Sequence, residues 1–225
     1  MNMVTNLAYF YESAKKVRGG KFVWWKDGNG ENRRNVLLGG TILNPKKGFD
    51  HLYAAQLVQY EIGEGCYIFR SFAVAQAAGA TDTVIYINGD GYSDVPEAGM
   101  LIMVAPNTAT ATGQSAKVTG VEYIEADQQF KVTVDTALGA LAVDAILVEA
   151  AGTAASASAR VLVPNPNTFV EADRDLMPTD GFGISNANYS ISTVYDKMAF
   201  LDRMQPLPAY VKEKNKSLFK GVFWI

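Results

Sequence analysis

Phe130-Lys131-Val132-Thr133-Val134-Asp135 alternates apolar and polar residues at every step. A period of two places Phe130, Val132 and Val134 on one face of an extended strand and Lys131, Thr133 and Asp135 on the other, so one face is buried and one is wet. Val118 to Ile124 lies just before it, and Glu125-Ala126-Asp127-Gln128-Gln129 joins the two, which predicts a β-hairpin. Four more short runs flank the pair. Thr83-Val84-Ile85-Tyr86-Ile87 is β-branched and aromatic and ends at the turn formers Asn88-Gly89-Asp90-Gly91. Met100 to Val104 follows Gly99 and stops at Pro106. Ala145 to Glu149 and Ala159 to Val163 complete the set. Short strands separated by turn signals predict a mainly β chain, with a small β-sandwich or barrel-like domain over residues 76–165.

Outward from that domain the pattern changes. Residues 1–75 read as an irregular arm or docking region. Turn clusters at Gly19-Gly20, Asp27-Gly28-Asn29-Gly30 and Gly39-Gly40 separate runs too short for helices: Phe22 to Trp25, Val36 to Leu38 and Thr41 to Leu43. Leu52 to Ile62 suits either a short strand or a short helix. Residues 166–225 read as an extended loop, one or two short helices and a terminal apolar strand. Val194, Met198 and Leu201 recur at helical spacing, which predicts a helix over 192–204 stopped by Pro206 and Pro208, with Lys197 and Arg203 toward its end. Ala209 to Asn215 is a second helix candidate.

Charge is unevenly distributed. Residues 1–70 carry 10 Lys and Arg against 6 Asp and Glu, residues 71–165 carry 3 against 10, and residues 166–225 carry 7 of each. The central segment is therefore acidic, and the formal net charge of −3 argues against bulk attraction to nucleic acid. The 225 residues hold one cysteine, Cys66, and one histidine, His51, too few for a disulfide framework or a structural zinc site of the Cys/His kind. Met1 to Phe10 lacks the cationic start and apolar run of a signal peptide, and the longest charge-free stretch, Ala98 to Ala116, holds too many polar residues to cross a bilayer. A soluble protein without a membrane partner is the expectation.

No reactive constellation is legible, so the chain is not expected to be an enzyme, and neither cofactor nor metal is expected. His51 follows Asp50 in a loop-like context without a nucleophile elbow and reads as a local hydrogen-bonding residue. Cys66 reads as a small buried side chain. Glu171, Asp173 and Asp175 alternate and would share one wet face of a strand. Residues 27–31 and 88–94 space oxygen donors alternately but lack the closing glutamate of a calcium loop, so both read as tight turns.

The docking residues suggested by the sequence lie at its two ends. Lys15, Lys16 and Arg18 stand beside Phe22, Trp24 and Trp25, a mixture that can seat on an acidic protein surface. At the other end Phe219, Val222, Phe223, Trp224 and Ile225 form an apolar terminus, and burying each large side chain is worth roughly 1.5–3 kcal/mol. Such ends call for a cover, either their own domain or another subunit.

The cadence Pro96-Glu97-Ala98-Gly99-Met100-Leu101-Ile102-Met103-Val104, then a Thr/Ala loop, then Ala116-Lys117-Val118-Thr119-Gly120-Val121 and Phe130 to Val134 resembles the head decoration proteins of tailed bacteriophages, also called auxiliary or cement capsid proteins. The arm-like start is similar to head-fibre base proteins of crAss-like phages. The resemblance implies a β-rich virion protein, made in the host cytoplasm and carried on the capsid exterior. It further implies a homotrimer, the major capsid protein as partner, an attached head fibre in some members, and no catalytic residues. The alternative from another class is a carbohydrate-binding or adhesive fibre module with Trp24, Trp25 and Tyr92 as stacking platforms.

Overall fold

The computed structural model describes residues 25–27, 33–38, 42–46, 50–52, 56–61, 65–91, 93–152, 155–169, 174–176, 189–194, 197–199, 205–218 and 223–224; side chains are described for 42–46, 56–59, 65–91, 93–152, 155–167 and 205–213. Strand accounts for about 42% of the chain and helix for about 4%, so the class is mainly β, as the alternating patterns predict. Two compact units are present, one of residues 1–69, 166–204 and 215–225, the other of residues 70–165 and 205–214.

Strands β1 (Trp25–Asp27), β2 (Arg33–Leu38), β3 (Asp50–Leu52), β4 (Leu57–Glu61) and β5 (Gly65–Ile68) belong to the first unit. The second unit is built on β6 (Ser71–Ala73), β7 (Val84–Asn88), β8 (Leu101–Val104), β9 (Ser115–Ile124), β10 (Gln129–Val134), β11 (Ile146–Ala151) and β12 (Arg160–Val161). All six strands expected between residues 80 and 165 are present, and β9 and β10 form the expected antiparallel hairpin. Its turn closes with Gln128 at φ 52° and a bond from the Gln128 N–H to the Glu125 carbonyl.

The sheet of the second unit closes on itself. Antiparallel pairing runs β6-β11-β8-β9-β10-β7. Val74, the residue after β6, then bridges antiparallel to Ile87 of β7, and the Ala75 N–H donates to the Tyr86 carbonyl at 2.7 Å. The result is a six-stranded barrel, the second of the two architectures that the sequence allows. Register assigns its interior. Val134 faces Val118, Val132 faces Val121 and Ile85, and Phe130 faces Tyr123 and Ile87, while Phe72 faces Leu147. Phe72, Ile87, Val132 and Leu147 are fully buried. A barrel of so few strands has room for side chains alone. Its interior is a core, not a pocket.

The turn after β7 shows why its glycine matters. Gly89 donates its N–H to the Gln128 carbonyl, and a Cβ there would stand 2.5 Å from that same oxygen. Only glycine lets the 88–91 turn lie this close to the β9–β10 hairpin tip.

Outside the barrel, β6, β8, β11 and the start of β9 carry a second buried layer. Ser71, Met103, Ser115 and Val148 are buried although they lie on the face opposite the interior. The Asp94 carboxylate accepts the Ser71 N–H, Ser93 Oγ accepts the Ala73 N–H, and the Gln205 amide donates to Ser71 Oγ. Polar groups of this layer are thus satisfied in place, as burial demands.

Helix α1 (Ala209–Leu218) follows Pro206 and Pro208. The prolines therefore start a helix instead of ending one. The Pro208 carbonyl accepts from the N–H groups of Val211 and Lys212, and a proline here removes no needed donor. Tyr210 and Val211 are buried, and the Tyr210 hydroxyl donates to the Val163 carbonyl at 3.4 Å. Burial pushes the Tyr210 phenol well above its ordinary range. Because the folded value is the higher one, this term stabilises the fold below about pH 10, where the unfolded phenol stays neutral, and is lost as pH rises beyond it. Tyr210→Phe is expected to flatten the alkaline limb of stability above pH 10; stability measured from pH 8 to 11.5 on both chains is the check.

The helix expected over 192–204 is not formed. In its place stand β15 (Tyr189–Val194) and β16 (Lys197–Ala199), which follow β13 (Thr168–Phe169) and β14 (Arg174–Leu176) and precede β17 (Phe223–Trp224). Three apolar residues at helical spacing are outweighed by the run Tyr189-Ser190-Ile191-Ser192-Thr193-Val194. It alternates, is β-branched at three positions, and contains serines that compete with helix hydrogen bonding. It pairs along its whole length with β2, Tyr189 facing Leu38 and Val194 facing Arg33.

The first unit holds small antiparallel sheets: β13-β4-β5, β14-β3 and β15-β2. The 52–62 stretch, which suited strand or helix, supplies β4. Leu57, Val58, Ile68 and Phe69 are fully buried there, with Cys66 close to it. Thr41 to Leu43, a run too short for a helix, contributes one parallel bridge, Ile42 to Cys66. Asn44 extends it with its side chain: its amide donates to the Ile68 carbonyl and accepts from the Ile68 N–H, both at 2.8 Å. A buried asparagine thus serves as one more residue of strand.

Candidate docking surface at the joined chain ends

Three short strands from distant parts of the sequence form one sheet, ordered β1-β16-β17. β1 comes from the aromatic stretch near the N-terminus, β17 from the apolar C-terminal stretch, and β16 lies between them. β1 runs antiparallel to β16, and β17 runs parallel to it. A parallel pair needs a crossover of a dozen or more residues. Residues 200–222, which include α1, supply that length.

The register puts aromatic residues in line. Trp25 and Trp224 both stand opposite Ala199, one on each side. Lys26 and Phe223 both stand opposite Met198 in the next row. Residues in one row of a sheet share a face. The sheet therefore aligns a tryptophan from each end of the chain across a single small residue, with a lysine in the neighbouring row.

Of the docking residues named from the sequence, Trp25, Phe223 and Trp224 are thus brought together. Phe22, Trp24, Lys15, Lys16 and Arg18, and likewise Phe219, Val222 and Ile225, lie outside the described residues, as does Tyr92. Ala199 and Met198, the residues that hold the two ends in line, carry no signal in the sequence beyond the mistaken helical spacing.

The other candidate groups are placed as follows. His51 sits in β3 directly opposite Asp175 of β14, while Glu171 and Asp173 lie outside the described residues. Cys66 is buried in β5. In the 88–94 turn, the Asp90 carboxylate accepts the Ser93 N–H at 3.0 Å, the Asp94 carboxylate accepts the Ser71 N–H, and Gly91 has φ 80°. These are turn and anchoring bonds. Among the described residues no three His, Cys, Asp or Glu side chains gather as a metal site would require.

The barrel surface is acidic. Asp82, Glu122, Glu125, Asp127, Asp135 and Asp144 are exposed. Lys131 offsets one of them, at 3.6 Å from Glu122. No helix among the described residues is long and apolar enough to cross a membrane. Comparison with protein-family models and with curated proteins returned no match.

Proposed function

We propose that this chain is a virion structural protein that binds the outside of a phage capsid and stabilises the major capsid protein lattice. The observation that carries this reading is the sheet β1-β16-β17, which gathers the two stretches whose composition marks them for docking. A tryptophan pair with an aromatic residue in the next row suits a protein surface, because aromatic residues are favoured interface anchors. The packed barrel interior leaves the surface as the place where a partner acts, and its exposed carboxylates suit a face turned to solvent. The resemblance of residues 80–165 to decoration proteins supports the same reading.

The mechanism is mechanical. Each copy engages neighbouring shell subunits through modest contacts, and symmetry repeats them. Linked contacts raise overall avidity by about 10²–10⁴ without any new interaction. Truncation of Val222–Ile225 removes β17 and with it one tryptophan of the row. The truncated chain is expected to bind heads assembled from the partner capsid protein at least tenfold more weakly while its barrel stays folded. Undiminished binding would overturn the proposal. A soluble-sugar titration read by tryptophan fluorescence separates the carbohydrate-binding alternative, which requires saturable quenching.

A further inference from the structure

We propose that Asn88-Gly89 is a latent self-modification site, held inert by the β9–β10 hairpin tip and converted to isoaspartate once the 88–91 turn leaves that tip. In an Asn-Gly pair the glycine nitrogen can attack the carbonyl carbon of the asparagine side chain. A bond forms from the Gly89 nitrogen to Asn88 Cγ, the Cγ–Nδ2 bond breaks, and the glycine N–H proton leaves through solvent with the departing ammonia. The product is a five-membered succinimide. Water then opens the ring on one side to give aspartate or on the other to give isoaspartate. Glycine hinders the attack least of all residues, because it has no Cβ and lets backbone atoms approach closely.

The fold both demands this glycine and blocks its reaction. A Cβ at residue 89 would stand 2.5 Å from the Gln128 carbonyl oxygen and 3.2 Å from Tyr123 Cε2, so no larger residue fits. The same carbonyl accepts the Gly89 N–H at 2.8 Å, which keeps the proton on the nitrogen that would attack. Asn88 is the last residue of β7 and stands opposite Gln129 in the ladder, so its backbone is extended. Ring closure needs the peptide plane after Asn88 turned well away from that setting. Neither barrier survives when the turn opens. The tip itself is under strain, because Gln128 holds φ 52°, a region that residues other than glycine rarely occupy. Isoaspartate routes the main chain through the former side chain and adds one carbon before Gly89. The Gly89 N–H then no longer meets the Gln128 carbonyl, so a single opening leaves a permanent change at this end of the barrel.

The full chain is incubated in mildly alkaline buffer, folded or unfolded in urea, and conversion of Asn88 is followed by peptide mass spectrometry. The folded chain is expected to convert about tenfold or more slowly than the unfolded one, because reaction waits on local opening. Equal rates overturn the proposal without recourse to any variant. Gln128→Val places a β-branched residue where it cannot hold φ 52°, yet leaves the reacting pair unaltered. It is expected to convert Asn88 about threefold or more faster than the unmodified chain under folding conditions, with the strand signal in circular dichroism retained. Gln128→Gly suits that φ and is expected to leave the rate unchanged. No acceleration in Gln128→Val, or an equal acceleration in Gln128→Gly, overturns the proposal. After conversion the Gly89 amide is expected to exchange faster with solvent; protection equal to that of the unconverted chain overturns the permanent change.

Discussion

Replacing Phe72 by alanine is expected to destabilise the chain by about 3–5 kcal/mol, the range for emptying a buried aromatic site. Phe72 is fully buried on β6, opposite Leu147 of β11. Two residues later Val74 makes the bridge to Ile87 that closes the barrel. The phenyl ring fills the interior beside the seam, so its loss removes packing where the sheet is joined by the fewest hydrogen bonds. Neighbouring strands cannot collapse into the gap without breaking their own register, which keeps the cost near the top of the range. A typical domain has only 5–15 kcal/mol of stability, so the change is a third of it or more. Urea unfolding followed by circular dichroism measures it. Lys131→Ala is the matched control, because its ion pair with Glu122 is exposed and worth about 0–1 kcal/mol. Should Phe72→Ala cost no more than Lys131→Ala, the closed barrel is wrong.

The seam also marks where the sequence stops being readable. Strands β7 to β11 alternate or are strongly β-branched, and turn residues punctuate them. β6 has neither property. Ser71, Phe72 and Ala73 are all buried, so no alternation appears, and Arg70 just before them reads as surface. A strand buried on both faces looks like an arbitrary polar and apolar mixture when one of its faces is satisfied by serine and its neighbours. Without β6 the remaining strands fit a sandwich as well as a barrel. The docking sheet was hidden for a related reason. Aromatic and cationic residues at the two ends are legible as interface material, but nothing local says that Trp25 and Trp224 fall in one row of a sheet. Their common neighbour is β16, in a stretch whose apolar spacing imitates a helix. Once Met198 and Ala199 are assigned to the wrong period, the row that joins the ends cannot be seen. Pairings between residues far apart in the chain, such as Trp25 with Ala199, leave no trace in periodicity, which records only which face of an element is dry.

Removing the carboxylate of Glu149 is expected to cost about 3 kcal/mol or more, through the charge it leaves behind. Arg70 is 1% exposed, and its Nη1 lies 3.0 Å from Glu149 Oε2. The pairing of Ser71 with Val148 continues by one row to these two residues, so the ladder itself sets them opposite one another at the end of the β6–β11 ladder. Arginine cannot shed its proton, so the guanidinium stays charged when the Glu149 carboxylate is gone. Breaking one side of a buried pair typically costs about 3–5 kcal/mol for that reason. The pair as a whole need not be a large source of stability, since desolvating both ions offsets much of their attraction. The two statements separate in a double-mutant cycle. Glu149→Leu alone and Arg70→Met alone form the single corners. Glu149→Leu is expected to be strongly destabilising, whereas Arg70→Met with Glu149→Leu is expected to recover most of the loss, giving a coupling of at least 2 kcal/mol, the upper part of the range seen for contacting residues. Losses that simply add would mean that Arg70 is held by its surroundings independently of Glu149, and that this end of the β6–β11 ladder is fixed by packing instead of charge.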